Sequence, residues 1–401
     1  MNFGIDRFCQ DLKIRGPLRG KRVAFLGHPA SVNRDLVHSL DAIQALGDVQ
    51  IAVAFGPQHG MRGEKQDNMI ESSTYIDPVH QIPVYSLYGT VRRPTPEMMG
   101  QFDVILVDLQ DLGCRIYTFI TTLLYVLEEC AKFGKSVWIL DRPNPIGRPI
   151  EGSLLQPGWE SFVGAGPLPM RHGLTLAELG RWFVAHFKLD VDLNVVPMDG
   201  YVMHEAPGYG WPLAQRTWIN PSPNASSVYM ARCYPGSVLL EGTTLSEGRG
   251  TTRPLEWVGA PDVDSLQVVQ LMTKLAPQWL LGCKLRPCFF EPTFHKHIGK
   301  MNHGIQIHVD DSHYNHQQFK PYRLFALLFK SLKQLNPEYP LWRSFPYEYE
   351  FERLAIDLIQ GGTFLREWVD DAQSEIGDFE NFAMQQETLW EDSRREFLLY
   401  S

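Results

Sequence analysis

Apolar residues follow two different spacings along the first half of the chain. Short continuous runs, typical of strands buried on both faces, alternate with segments whose apolar residues recur every three or four positions, as in helices with one buried face. The patterns predict strands at 22–26, 51–55, 83–86, 103–108, 137–140 and 194–197, and helices at 33–46 and 117–133. Thr175 and Glu178 have the spacing of a capping box, which predicts the start of another helix. This alternation predicts an α/β fold with a mostly parallel sheet covered on both faces.

The pattern changes in the second half of the chain. A Pro-rich, non-helical segment at 218–224 precedes it. Helices are then predicted near 265–275 and 322–335, a strand near 305–309, and a last helical region after residue 364. We therefore predict two domains, 1–230 and 231–401, with the boundary near residues 225–235.

Polar loops directly follow four of the predicted strands, at 27–30, 56–68, 109–115 and 141–144. The carboxyl ends of parallel strands meet at one edge of a sheet, and ligands bind in the crevice there. A further loop, 233–256, which contains the polar stretch 240–254, is expected to lean over this edge from the second domain. No Gly-x-Gly-x-x-Gly follows the first strand and no P-loop motif occurs, so a dinucleotide site is not predicted. Loops this rich in polar groups favour an enzyme.

The loop at 55–64 supplies the first catalytic candidates. Glu64 is the predicted general acid, a role that needs a pKa raised by burial or by a nearby carboxylate; a solvated loop carboxylate is the alternative. His59 is predicted to orient the catalytic group, or else to be a structural histidine. Asp108, at the end of the most apolar strand, is a candidate functional carboxylate.

Polar residues in two other strand-end loops are candidates for substrate binding. Asp111 and Arg115 either belong to the site or pair with each other at the start of the next helix. Arg142 and Asn144 either bind a hydroxylated ligand or stabilise a Pro-rich turn.

Candidates also occur beside the predicted helix start at Thr175 and in the 240–254 loop. Arg171 and His172 lie close to a helix N-terminus, which is a natural anion site. Glu241, Glu247 and Arg249 either belong to the site or form salt bridges, and both kinds of residue can occur among them.

Composition and charge exclude several classes of protein. The net charge is −9 with scattered basic residues, so no nucleic-acid partner is expected. No apolar run approaches about 20 residues, so no membrane span is expected.

The first residues lack the features of a signal peptide, and six cysteines without a Cys-x-x-Cys pair favour reduced thiols. A cytoplasmic location is therefore expected. The His spacings do not support a metal site, and no cofactor is predicted.

In order along the chain, several motifs resemble the exo-β-N-acetylmuramidase (NamZ-type) family of glycoside hydrolases, formerly a domain of unknown function. The matching runs are 55–64, 83–89, 94–96, 108–118, 141–145, 169–173, 221–224, 234–236 and 240–254. The resemblance implies a Rossmann-like N-terminal domain, a smaller α/β C-terminal domain and an active-site cleft between them. It also implies exo-hydrolysis of terminal N-acetylmuramic acid from peptidoglycan-derived fragments. Many relatives are exported, whereas this chain shows no signal sequence, which favours intracellular turnover of such sugars.

The resemblance places the Glu of the family's His-Gly-x-x-Gly-Glu pattern on Glu64. Family members often carry Glu before that His, where this chain has Gln58. Asn224 lies in a matching run and is a further candidate for substrate binding. The second catalytic group is either a carboxylate, such as Asp108 or Asp111, or the substrate's own 2-acetamido group. The candidate partners for the lactyl carboxylate of muramic acid are Arg62, Arg115, Arg171 and Arg249.

Two other functions remain open at this stage. One is a non-catalytic protein that binds an amino sugar or a nucleotide in the same cleft. The other is a metal-dependent deacylase of amino sugars. The sequence leaves the oligomeric state open.

Overall fold

The structure is a computed structural model, and it describes residues 1–63, 65, 69–310 and 312–400. Within these residues the strands are β1 Val23–Gly27, β2 Ile51–Gly56, β3 Tyr75–Ile76, β4 Pro83–Ser86, β5 Val104–Asp108, β6 Ser136–Leu140, β7 Leu193–Val196, β8 Trp257–Ala260, β9 Lys284–Phe290 and β10 Asn302–His308. The α-helices are α1 Gly4–Gln10, α2 Leu12–Arg15, α3 Ser39–Gln44, α4 Pro96–Met99, α5 Phe119–Phe133, α6 Leu176–His186, α7 Val228–Ser237, α8 Ser265–Leu275, α9 Pro321–Leu335, α10 Ala355–Gln360, α11 Phe364–Asp370 and α12 Ile376–Arg394.

The large sheet confirms the predicted α/β fold. Its strand order is β3-β4-β2-β1-β5-β6-β7, and all neighbours are parallel except the short edge strand β3. Successive residues of β1 point to opposite faces: Leu26 joins the core with helices α5 and α6, and Phe25 joins the core with α1 and α3. Both faces are therefore buried, which explains the continuous apolar runs.

A second, smaller sheet with antiparallel order β8-β10-β9 lies in the C-terminal half and packs against α8. Helix α12 then returns to the first domain. The Trp390 indole donates to the backbone oxygen of His172 at 2.8 Å, and its ring centroid lies 5.1 Å from that of Trp182. The last helix therefore packs against the first domain. In the part of the chain that the structure describes, no helix is long and apolar enough to cross a membrane.

The predicted helix at 33–46 is wrong over its first half, because α3 begins only at Ser39. The Asn33 side chain accepts hydrogen bonds from the backbone N–H groups of Asp35 and Val37, which competes with a helical turn. Leu36 has a left-handed φ of 62° and is exposed. Its apolar spacing therefore does not correspond to a buried helical face.

The predicted capping box is confirmed at the start of α6. Thr175 Oγ1 accepts from the Glu178 N–H at 3.3 Å, and the Glu178 carboxylate accepts from the Thr175 N–H at 2.8 Å. The Thr175 hydroxyl also contacts the carboxylate of Asp141 at 2.9 Å, directly after β6. Asp141 is fully buried, and this burial is the main reason that its pKa rises to about 7.

Asp141→Asn is expected to change the pH dependence of thermal stability. A carboxyl with a higher pKa in the folded chain binds more protons when folded, so its contribution is full below about pH 4 and is lost as the pH rises through about 7. Between these values the unfolding midpoint of the wild type should fall relative to that of Asp141→Asn. Circular dichroism melts across this range measure the difference, with the exposed Asp190→Asn as control. Parallel curves for wild type and Asp141→Asn would contradict this interpretation.

Candidate active site

A narrow cleft lies at the junction of the two domains, at the carboxyl edge of the large sheet. The first domain contributes polar side chains from the loop after β2, from the start of α5 and from the Pro-rich segment. The second domain contributes α7, the 240–254 loop and a segment at 345–353. The polar and aromatic lining residues are Gln58, His59, Tyr117, Thr118, Ser222, Asn224, Tyr234, Glu241, Arg249, Tyr347 and Glu348.

The loop after β2 turns back tightly at the sheet edge, and its residues Gln58 and His59 line the cleft. A Cβ on Gly56 would lie 2.6 Å from the Met61 nitrogen, so the close approach requires glycine at this position. His59 has a left-handed φ of 72°, and its Nδ1 lies 3.1 Å from the backbone oxygen of Lys65. Glu64, the predicted general acid, lies outside the described residues.

Gln58 connects the two sides of the cleft. The Thr118 hydroxyl donates to Gln58 Oε1 at 2.8 Å, and Gln58 Nε2 donates to Glu348 Oε1 at 3.5 Å. The amide thus links the start of α5 to the 345–353 segment of the second domain.

Glu348 is a cleft carboxyl that the sequence reasoning missed. Its Oε2 accepts from the Tyr88 hydroxyl at 2.9 Å. Burial is the main cause that raises its pKa to about 7; Glu241 adds to the rise, and the Tyr88 hydrogen bond opposes it. Glu348 and Tyr349 have left-handed φ values of 46° and 70°, a strained conformation outside glycine. The only sequence signal is the alternation of Tyr and Glu at 347–350.

A buried ion network forms the second-domain wall. Arg249 lies 2.7 Å from Glu241 and 3.2 Å from Glu247, and Glu247 also lies 3.0 Å from Lys296 and 3.2 Å from His295. These cations hold the pKa of Glu247 well below its usual range although burial opposes the shift. Glu241 and Arg249 reach the cleft lining, whereas the Glu247 carboxylate is fully buried behind them.

Several sequence-predicted site residues lie outside the cleft lining and have structural contacts. The Asp108 carboxylate is bound by Arg142 Nε at 2.5 Å and Nη2 at 2.9 Å, and both side chains are buried. Asp111 accepts from the Gly113 N–H at 2.7 Å and lies 3.2 Å from His172 Nε2. Asp111 is therefore paired with His172 and not with Arg115, the ion pair that the sequence left open.

Three other candidates also have structural contacts. Arg62 forms salt bridges with Asp41 at 2.8 Å and Asp77 at 3.3 Å, away from the cleft lining. Asn144 closes a turn, because its side chain accepts from the Ile146 N–H and donates to a backbone oxygen. Arg171 is buried and donates to the backbone oxygen of Ile146.

The structure therefore brings His59, Asn224, Glu241 and Arg249 of the predicted set together. The cleft residues that the prediction omitted are mainly hydroxyls and aromatics, namely Tyr117, Thr118, Ser222, Tyr234 and Tyr347, together with Glu348. Tyr117 and Thr118 directly precede α5, so their position after a strand-end loop was the available signal.

Comparison with known proteins gives the family of the chain. The family models "Exo-beta-N-acetylmuramidase NamZ, N-terminal" and "Exo-beta-N-acetylmuramidase NamZ, C-terminal" match residues 23–229 and 232–400. The chain belongs to the NamZ family. The peptidoglycan β-N-acetylmuramidase NamZ of Bacillus subtilis is 36% identical over 99% of this chain and 91% of its own length. This full-length similarity identifies the chain as a glycosidase.

Solved structures of relatives share the fold. A DUF1343 family protein of Bacteroides fragilis superposes with a TM-score of 0.84 at 27% identity, over 100% of this chain and 99% of that protein. A second DUF1343 family protein of the same organism has a TM-score of 0.74 at 25% identity, with the same coverage. This chain therefore shares its overall fold with both proteins.

Glu247→Gln is expected to lower the free energy of unfolding by about 3–5 kcal/mol, because it leaves Lys296 and Arg249 buried beside a neutral group. Thermal and urea unfolding measure the change. Thr252→Ala alters an exposed side chain of the same loop and should stay within about 0.5 kcal/mol of wild type. If Glu247→Gln kept wild-type stability and raised KM instead, Glu247 would have the substrate-binding role expected from the sequence.

Proposed function

We propose that this protein is an exo-acting β-N-acetylmuramidase that releases terminal N-acetylmuramic acid from peptidoglycan-derived fragments during cell-wall turnover. Family membership supports the reaction class. The observation that supports the place of reaction is the interdomain cleft, in which carboxyl, hydroxyl, amide and guanidinium groups converge. A carboxyl with its pKa near 7 in such a cleft suits acid–base cleavage of a glycosidic bond.

Arg249 is the proposed partner of the lactyl carboxylate that distinguishes muramic acid from glucosamine. Of the four arginines expected from the sequence, Arg249 lines the cleft, whereas Arg62, Arg115 and Arg171 contact other protein groups outside the lining. Its planar guanidinium can bind a carboxylate by two parallel hydrogen bonds. Glu241 and Glu247 hold its side chain in position.

Glu64 is the proposed general acid, on the basis of the family pattern, and His59 is proposed to orient it. His59 belongs to the same loop and reaches the cleft lining, which supports the placement of this loop at the site. Asn224 and Glu241 are proposed to bind hydroxyl groups of the sugar. The cleft has a free interior of only about 40 Å³, so a sugar ring enters only if the cleft widens.

The activity is tested with a chromogenic β-N-acetylmuraminide and the matching N-acetylglucosaminide, each with and without chelator. Release from the muraminide much faster than from the glucosaminide, and resistant to chelator, is the expected result. Glu64→Gln should reduce kcat at least about 100-fold, because it removes the proton donor.

Other outcomes would identify the alternatives. Release of acetate without release of the chromogen, abolished by chelator, would favour a metal-dependent deacylase. Binding of the muraminide, without product at any enzyme concentration, would favour a non-catalytic amino-sugar-binding protein. Normal activity of Glu64→Gln would exclude Glu64 as the acid while leaving the reaction class intact.

Arg249→Lys is expected to reduce the preference for the muraminide. Lysine keeps the charge and loses the planar fork, so the ratio of kcat/KM between muraminide and glucosaminide should fall about 10-fold or more. Using the ratio cancels general damage to the fold, which affects both substrates. The control Arg253→Lys, on the same loop, should keep the wild-type ratio. An unchanged ratio in Arg249→Lys would assign the lactyl group to another residue.

A further inference from the structure

We propose that Glu348 is the general base of the hydrolysis and activates a water molecule for direct attack on the anomeric carbon, with inversion of configuration. The inference rests on the proposed muramidase function and extends it. It assigns the second catalytic group to a residue of the C-terminal domain, so that both domains supply the reaction.

The contacts of Glu348 favour a base. Tyr88 donates to Oε2 at 2.9 Å and Gln58 donates to Oε1 at 3.5 Å, so each neighbour supplies a hydrogen to the carboxylate. Donated hydrogen bonds stabilise the ionised form, which is the form that accepts a proton from water. The side chain lines the cleft, where a substrate would bind.

The groups around Glu348 and its burial together set its pKa near neutral pH. Glu241 faces it with a negative charge, Arg92 with a positive charge, and the hydroxyls of Tyr88 and Tyr347 lie close. Burial outweighs the stabilising contacts, and the pKa of about 7 lets the group exchange a proton near neutral pH.

Glu241, the other described carboxylate in the cleft lining, is less suited to this role. Arg249 lies 2.7 Å from its Oε1, and the Tyr347 hydroxyl donates to its Oε2 at 2.7 Å. Both of its oxygens are thus held by donors of the protein, and Glu241 already serves to position Arg249.

The step balances as a single displacement. Glu348 takes one proton from water as the water oxygen bonds to C1 of the muramyl residue, on the face opposite the leaving group. The bond from C1 to the glycosidic oxygen breaks, and that oxygen takes a proton from the general acid, proposed above as Glu64. The product is first formed as the α-anomer from a β-linked substrate.

The first test uses the wild-type enzyme and the β-muraminide, with product followed by proton NMR before mutarotation. The α-anomer is expected as the initial product. An initial β-anomer would overturn the proposal, since it requires a covalent or acetamido-derived intermediate. This readout needs no variant, so it does not depend on how well a mutant folds.

The second test uses variants and pH profiles of kcat/KM. The base must be ionised, so wild-type activity should decline as the pH falls below about 7. Glu348→Gln should reduce kcat at least about 100-fold with folding unchanged by circular dichroism. Tyr88→Phe removes a contact that lowers the pKa of Glu348, so the acidic limb should move to higher pH.

The exposed Glu352→Gln, on the same segment, is the matched control and should behave as wild type. If the wild type hydrolyses the muraminide and Glu348→Gln keeps its kcat, this proposal fails while the muramidase function stands. If the wild type releases no muramic acid, the proposed function itself fails, and the role of Glu348 with it.

Discussion

One buried arginine joins the two domains and thereby sets the shape of the cleft. Arg115 is fully buried and donates to the backbone oxygens of Ser153 and Leu168 in the first domain and of Ile359 and Gln360 in the second, at 2.6–3.0 Å. The last two oxygens belong to the carboxyl end of α10, where the helix dipole favours a positive charge. Burial lowers the pKa of Arg115 only to about 10, so it stays charged at neutral pH. Tyr117 and Thr118, two and three residues later, line the cleft, so the same short segment fixes the domain contact and the site.

Buried charged side chains are paired in both domains, by separate ion pairs in the first domain and by a larger network in the second. In the first domain, pairs such as Asp108 with Arg142 and Arg148 with Glu178 lie directly behind the carboxyl edge of the sheet. In the second domain, a larger network around Glu247 supports the wall that carries Arg249. Such pairs contribute little net stability, but loss of one partner is costly, so they hold the loops in one arrangement. The polar side chains of the cleft are therefore held at defined positions although they lie in a buried environment of low dielectric constant.

The fold was largely predictable because local pattern and burial agree. Continuous apolar runs correspond to strands buried on both faces, and the Thr175 capping box starts a helix where expected. Asn33 is the exception, since its side chain stabilises a turn that apolar spacing cannot reveal. The site was predictable only in part. A polar residue after a strand end, such as Asp108, binds another protein group as readily as a ligand, and the choice depends on its neighbour across the sheet.

The sequence by itself determined the two-domain α/β fold, the edge at which the functional loops gather, and membership of the NamZ family. It did so because hydrophobic spacing and loop motifs are local properties of the chain. Tertiary structure alone decided which charges reach the cleft. Gln58 and Glu348 are 290 residues apart in sequence and become neighbours only when the second domain packs over the first. The raised pKa of Glu348 arises from burial in that junction, and burial is a property of the packed molecule rather than of any segment.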